Sequence, residues 1–290
     1  MIGSVMATIQ DIAKATRHST ATVDRVLNNR PGVREATRQT ILKAAAELKY
    51  ARAMPASLGF DFVLPRTGEF MRNLAEHLGR MPKEQDVGQP INVHLIDYDK
   101  PDAVVALLDR LRHETAGIGL VALDHILIRE ALKTLIHRNV PVVTLLTDIS
   151  SLPHQGYIGI DNRLAGRLAG HLIGKFLPVE AGKIAVFTGS HAYRGHEERE
   201  MGFRSIIKEN FAHLQILDAQ EIGESGESGR DLTEALIARE PDLVAIYNIG
   251  AGSQGVAQAL EGHSSDRKPV FIAHDLSAED KAQRGPPWIS

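Results

Sequence analysis

Residues 8–50 read TIQDIAKATRHSTATVDRVLNNRPGVREATRQTILKAAAELKY, and this stretch decides the organisation of the chain. Three short runs in it carry apolar residues at helical spacing: Ile9, Ile12 and Ala13, then Val23, Val26 and Leu27, then Ile41, Ala45 and Leu48. The first two open on a capping residue. Thr8 stands three places before Asp11 and Ser19 three before Thr22, so each hydroxyl can take an amide that the first helical turn leaves without a partner. The run Asn28-Asn29-Arg30-Pro31-Gly32 breaks the second helix before the third.

If Val23, Val26 and Leu27 face the other two helices, Thr20, Ala21, Asp24, Arg25 and Asn28 lie on the opposite side. That is the geometry of a recognition helix in a major groove. Arg25 suits a bidentate bond to a guanine edge, and Thr20 and Ala21 suit hydroxyl and methyl contacts to bases. Thr8, Ser19, Thr22 and Asn28 suit phosphate oxygens, which fix register without reading sequence. The competing reading is a small helical bundle used only for packing. Charge separates the two. Residues 1–58 hold nine Lys and Arg against four Asp and Glu, a balance of +5; the remaining 24 basic and 32 acidic residues give −8, so the overall −3 conceals a basic head on an acidic body.

The run Ser19 to Asn29, STATVDRVLNN, followed by a third helix ending Leu48-Lys49-Tyr50, resembles the LacI/GalR family of bacterial transcription regulators. The resemblance implies Thr20, Ala21 and Arg25 as base readers and Ser19, Thr22 and Asn28 as backbone anchors. Two departures from the family pattern stand out. The turn Thr16-Arg17-His18 lacks the usual glycine, which implies a backbone there that is strained or differently shaped. Asp24 replaces a small hydroxyl residue and brings a negative charge toward phosphate.

The composition is that of an ordinary globular chain, 290 residues with 43% hydrophobic and 24% charged. It contains no cysteine, which rules out disulfides and thiolate metal sites. The absence of a long apolar run and of a basic flank before an apolar segment gives the expectation of a cytoplasmic protein with no membrane contact. Met6 opens family-like text, so residues 1–5 read as an upstream extension.

The expected division is a helix-turn-helix head at 1–50, a linker or hinge at 51–59, a first lobe at 60–159 and a second at 160–290. Pro55 and Gly59 interrupt the linker, which reads as a tether; the resemblance implies a leucine wedged into the minor groove, and Leu58 is the candidate for it. From Phe60 onward, apolar runs alternate with helical patterns: FDFVLP, a helix through Phe70 and Leu78, INVHLIDY, a helix at 101–113, GIGLVAL, a helix at 126–138 and VPVVTLL. After a connecting segment at 148–160 come a helix at 161–177, KIAVFTGS, a helix at 196–211, LQILDAQ, a helix at 228–239, DLVAIYNIG, a helix at 252–261 and PVFIAHD. The fold class is therefore α/β: a small all-α head on a two-lobed, doubly wound parallel domain, with a ligand cleft at the carboxyl ends of the strands.

The second half is similar to sugar-binding repressors and periplasmic binding proteins through GIDNRLAGRLAGHL (159–172) and HEEREMGF (196–203). The resemblance implies Arg199, Asn248, Asp275 and Asp161 or Asn162 as effector contacts. Carboxylates, an amide and a guanidinium converging from strand ends suit a polyhydroxylated ligand. Each also reads as a cap or ion pair, Asp161 above all. In the first lobe Arg66, Phe70, Asp97, Asp124 and Asp148 lie near strand ends.

Gly250-Ala251-Gly252-Ser253-Gln254-Gly255 is a G-x-G-x-x-G between strand and helix, the mark of a dinucleotide site, but it falls in a late β-α unit. The group His191, His196, Glu197 and Glu198 lacks zinc-helix spacing and reads as a solvated helix start. No nucleophile elbow or phosphate loop occurs, so neither an enzyme nor a cofactor is expected. After Asp275 the text has no periodicity, and the resemblance implies a chain shortened at its C-terminus, with apolar sheet edges exposed. The expected function is sequence-specific regulation, repression as the resemblance implies, by a homodimer on operator DNA under a sugar-like effector. The alternatives are a sugar-binding protein without a DNA role and a dinucleotide-dependent enzyme.

Overall fold

The structure, a computed structural model, describes residues 7–27, 30, 32–48, 58–66, 68–84, 88–98, 100–177, 181–223, 226–250, 252–263 and 268–274. Asn28, Asp275 and hinge residues 51–57 lie outside the described residues.

The head is three helices, α1 (Ile9–Thr16), α2 (Thr20–Leu27) and α3 (Glu35–Glu47). Thr8 closes α1 with a full capping box: its Oγ1 accepts the Asp11 amide at 3.3 Å while its own amide donates to Asp11 Oδ2 at 2.8 Å. The Thr8 hydroxyl bond holds the Asp11 carboxyl below its ordinary pKa. Ser19 Oγ accepts the Thr22 amide at 3.1 Å and so starts α2. Ile12, Val23, Val26, Ile41 and Ala45 form the buried core, with Ile9, Ala13, Leu27, Val33 and Ala44 packed against them. Leu48 departs from expectation. It follows the end of α3 and is 37% exposed, so Ala44, one turn earlier, fills the place assigned to it.

The turn without glycine is strained as expected. Arg17 caps α1 in the left-handed region, φ 55° and ψ 35°, its amide donating to the carbonyls of Ala13 and Lys14. His18 secures the turn through its amide to Ala13 O and its Nδ1 2.6 Å from Thr16 O.

The first sheet is wholly parallel in the order β2-β1-β3-β4-β5: β1 (Gly59–Pro65), β2 (Ile91–Ile96), β3 (Thr115–Leu120), β4 (Val142–Leu145) and β5 (Gly156–Ile158). Helices α4 (Glu69–Glu84), α5 (Pro101–Leu111) and α6 (Ile126–His137) connect its strands. Every residue of β3 is buried, the mark of a central strand covered on both faces. One core lies under α5 and α6 around Val63, Leu108, Ile118 and Leu132; the other lies under α4 around Leu64 and Leu78. Strand β5 sits inside the segment expected to be only a connection. Three residues are too few to show alternation, and only pairing with β4 reveals it.

The second sheet runs β10-β9-β6-β7, all parallel, with helices α7 (Asn162–Phe176), α8 (Arg194–Asn210), α9 (Gly226–Arg239) and α10 (Ser253–Gly262). Its strands are β6 (Gly182–Thr188), β7 (Leu214–Ile216), β8 (Gln220–Glu221), β9 (Leu243–Asn248) and β10 (Val270–Ala273). The stretch LQILDAQ, expected as one strand, forms β7 and the start of β8. Ile184 faces Ile216 and Phe187 faces Gln220, so the outer chain carries one extra residue and bulges between them.

Helices α7 and α8 meet backbone to backbone. A Cβ on Gly166 would stand 1.9 Å from the carbonyl oxygen of Arg199, and one on Gly202 would stand 2.0 Å from that of Arg163. Apolar surface is left open elsewhere. The edge strand β10 is only half-buried throughout, and Ile158 of β5, Ile160 in the connection that follows it, and Leu164, Leu168 and Phe176 of α7 are exposed.

Removing the strain at position 17 should stabilise the head. Arg17→Gly is expected to raise its unfolding free energy by about 1 kcal/mol, since a side chain in the left-handed region costs roughly that much. Urea unfolding followed by circular dichroism measures this, and a lower midpoint for the variant would contradict it.

Candidate nucleic-acid interface and effector site

Burial of Val23 and Val26 turns Ser19, Thr20, Ala21 and Arg25 outward as an exposed face on α2, with Thr22 half-buried beside them. The capping hydroxyls are already engaged: Thr8 Oγ1 lies 2.7 Å from Asp11 Oδ2, and Ser19 Oγ lies 2.9 Å from Thr22 Oγ1. Their exposed positions leave the hydroxyl lone pairs and the α2 amides at the helix tip. Asp24 does not stand as a lone negative charge. Arg30 Nη1 pairs with its Oδ2 at 3.3 Å, both side chains being substantially exposed. An exposed pair of this kind adds little stability, but it neutralises the carboxylate that the recognition face would otherwise carry toward phosphate.

In the second sheet, the carboxyl ends of β6, β9 and β10 bring Thr188, Asn248 and His274 to one edge, and α8 brings His196 and Arg199 to the same place. Arg199 is oriented from two sides: Nε donates to Asn162 Oδ1 at 2.8 Å and Nη1 to Ile249 O at 2.8 Å. No carboxylate pairs with it among the described residues. Asn248 is buried, its Nδ2 donating to Gly250 O at 3.1 Å. Asp161 is the N-cap of α7, with Oδ1 accepting the Leu164 amide at 2.9 Å, which is the cap role weighed for it. Asn162 is buried and fully engaged by protein groups.

His196 corrects the expectation of a solvated helix start. Nδ1 lies 2.9 Å from Ser190 O, and the ring packs edge-on against Tyr193 and against Gly250. Burial, with the Arg199 and His191 charges nearby, lowers its pKa from 6.5 to about 4, despite the opposing Ser190 bond. His274 pairs with the buried Tyr247 hydroxyl at 2.7 Å, and Tyr247 stacks on Phe203. Burial, then the charge of Arg199, lowers His274 to about 3. Both imidazoles are therefore neutral at pH 7 and offer one donor and one acceptor each. The sequence reading named His196 only as part of a solvated helix start and did not name His274; their positions, one in a helix's first turn and one just past a strand end, were the available signal.

The glycine run has packing reasons of its own. A Cβ on Gly250 would stand 2.8 Å from His196 Cε1, and Gly252 has φ 80° as the N-cap of α10.

The first-lobe candidates are mostly committed. Asp148 accepts from Thr144 Oγ1, the Ile149 amide and His154 Nε2, all within 2.8 Å. Burial raises the Asp148 pKa, but these bonds outweigh it and hold the carboxyl below its usual range. Asp124 is likewise raised by burial but held down by Arg129 and the Ser150 amide. Arg66 and Asp97 pair with each other at 3.1 Å at the exposed ends of β1 and β2, and Phe70 stands exposed after β1. The two lobes touch where α8 begins: the Asp124 amide donates to Ala192 O, Arg194 Nη1 to Ser150 Oγ, and the Gly195 amide to Thr147 Oγ1.

Comparison with known proteins bears on both regions. Residues 8–53 match the lacI family of bacterial regulatory proteins, and residues 91–283 match the periplasmic binding protein domain. A similar relative is the HTH-type transcriptional repressor PurR of Vibrio vulnificus (strain CMCP6), 28% identical over 214 residues, which cover 70% of this chain and 61% of that protein. Among solved structures, a lacI-family transcriptional regulator from Silicibacter pomeroyi aligns with TM-score 0.60 at 23% identity, covering 92% of this chain and 81% of the other. GanP, a glucose-galactose binding protein from Geobacillus stearothermophilus, aligns with TM-score 0.67 at 20% identity, covering 77% and 79%. At these identities the two structures speak for the fold alone.

The buried neutral histidine sets a pH dependence. Since the folded pKa of His196 lies below its unfolded value, the unfolded chain takes up the proton first, and stability falls between about pH 6.5 and pH 4. His196→Asn is expected to flatten that acid limb, read as the change in urea midpoint above and below the window. An undiminished slope would place the titration elsewhere.

Proposed function

We propose, since this chain belongs to the periplasmic binding protein domain family and carries a lacI-family regulatory head, that it is a sequence-specific DNA-binding transcriptional regulator, a repressor governed by a small sugar-like effector. The observation that carries this reading is the exposed Thr20, Ala21 and Arg25 face of α2, held outward by the buried Val23 and Val26, in an N-terminal stretch, residues 1–58, of net charge +5.

On this reading Arg25 bonds a guanine edge, Thr20 and Ala21 meet neighbouring bases, and Thr8, Ser19, Thr22 and Asn28 hold phosphates. Arg199, Asn248 and Asp275 receive the effector, with His196 and His274 adding neutral donors and acceptors. That mixture suits hydroxyl groups, each of which gives and takes a hydrogen bond. Asp161 and Asn162 shape the site from behind, as cap and as support. The protein acts as a homodimer, because one small head makes few contacts and two half-sites double them. It works in the cytoplasm as a regulator and not as an enzyme; no described helix is long and apolar enough to cross a membrane. Effector binding changes the angle between the lobes, hence between the heads, and its reach is limited by the difference in affinity for the two arrangements.

Capture and sequencing of genomic fragments bound by the purified protein tests the reading, and the genes beside the enriched sites name the sugar. No enrichment at low salt would overturn it. On the operator so found, Arg25→Ala is expected to cost about 1–3 kcal/mol and relax preference at one base pair; a uniform loss over all sequences would make Arg25 a phosphate contact. Arg199→Ala is expected to abolish the response to the sugar while operator binding itself is retained in a mobility-shift titration, and a retained response would remove Arg199 from the site.

A further inference from the structure

The side chain of Asn162 is 3% exposed, and every polar atom in it is used. Nδ2 donates to Leu146 O at 3.2 Å and to the Tyr157 hydroxyl at 3.0 Å, and Oδ1 accepts Arg199 Nε at 2.8 Å. Leu146 directly follows β4 in a left-handed conformation, φ 63°, and Tyr157 lies in β5, whose chain leaves the first sheet for α7. The Tyr157 hydroxyl itself sits 3.0 Å from both Leu146 O and Ile160 O. On the far side, Arg199 Nη1 reaches Ile249 O beyond β9. One hydrogen-bonded path therefore runs from the last strands of the first lobe, through Asn162, to the arginine and the strand ends of the second.

A second contact closes on the same point. The Gly195 amide in the first turn of α8 donates to Thr147 Oγ1 at 3.0 Å, and a Cβ at Gly195 would stand 3.1 Å from Asn162 Nδ2 and 3.4 Å from Leu146 O. The arrangement requires an amide side chain. An aspartate would satisfy the guanidinium but could not donate to Leu146 and Tyr157, and an aliphatic residue would take one partner from each of the three groups.

We propose that Asn162 is a positioning residue that ties the orientation of Arg199 to the first lobe at Leu146 and Tyr157, so that capture of an effector by Arg199 is passed to the angle between the lobes. The effector half of this statement rests on the function proposed above; the link between the arginine and the first lobe does not.

Because the chain has no cysteine, two can be introduced cleanly for spin labels, at the exposed Arg110 of α5 and Lys208 of α8. Pulsed dipolar spectroscopy on the full chain then reads the distance between lobes without any effector. The expected result is one narrow distribution for the labelled parent and a broadened or displaced one for Asn162→Ala, Asn162→Asp and Arg199→Ala, with the Asn162→Ala, Arg199→Ala double variant no worse than the more affected single. Asp161→Ala, which removes the cap of the same helix, is expected to lower the unfolding midpoint and leave the distance unchanged. That control separates a link between lobes from simple loss of stability, and Asn162→Asp keeps the test open should the alanine variant fold poorly. The proposal is overturned if both Asn162 variants keep the parental distribution, or if the double variant adds the effects of the singles. Neither outcome depends on DNA binding, so failure of the regulator reading and failure of this link are told apart.

Discussion

The closeness of α7 and α8 governs the geometry of the second lobe. With Gly166 under the carbonyl of Arg199 and Gly202 under that of Arg163, no side chain fits between the two backbones. That contact fixes where Arg199 stands relative to Asn162, and so which way the guanidinium points. Further along, Gly170 meets Ile206 and Gly174 meets Phe211, so the same crossing continues into the core around Ile173, Phe203 and Ile207. The candidate site is thus positioned by packing at its back, where the glycines let the two helices meet.

Much of this was legible in sequence because burial imposes period. The all-buried β3 and the apolar runs of β6 and β9 announce a parallel sheet covered on both faces, and the α2 spacing announces its outward side. Short or paired features were not legible. Strand β5 exists only through its ladder to β4, and the β7–β8 bulge only through register with β6. Leu48 fits the helical period but falls one residue past the end of α3.

The candidate site was half legible for a related reason. A resemblance carries over the residues that a family shares at strand ends, and it pointed to Arg199 and Asn248. It has nothing to say about which of two adjacent polar residues caps a helix and which is buried; Asp161 and Asn162 differ in that respect only through the turn of the chain at α7. Nor does it foresee His196 and His274, whose character comes from three-dimensional enclosure. In one turn of the head, by contrast, a local rule sufficed: the missing glycine at Thr16-Arg17-His18 translated into a left-handed arginine.

Gly250 illustrates how one residue type answers different demands. Its spacing with Gly252 and Gly255 imitates a loop that wraps a pyrophosphate, yet here the missing side chain makes room for an imidazole ring of the same molecule. A glycine string records crowding without recording who does the crowding. Any substitution at Gly250 would therefore act first on the histidine behind it, pushing the His196 ring before it met anything outside the protein.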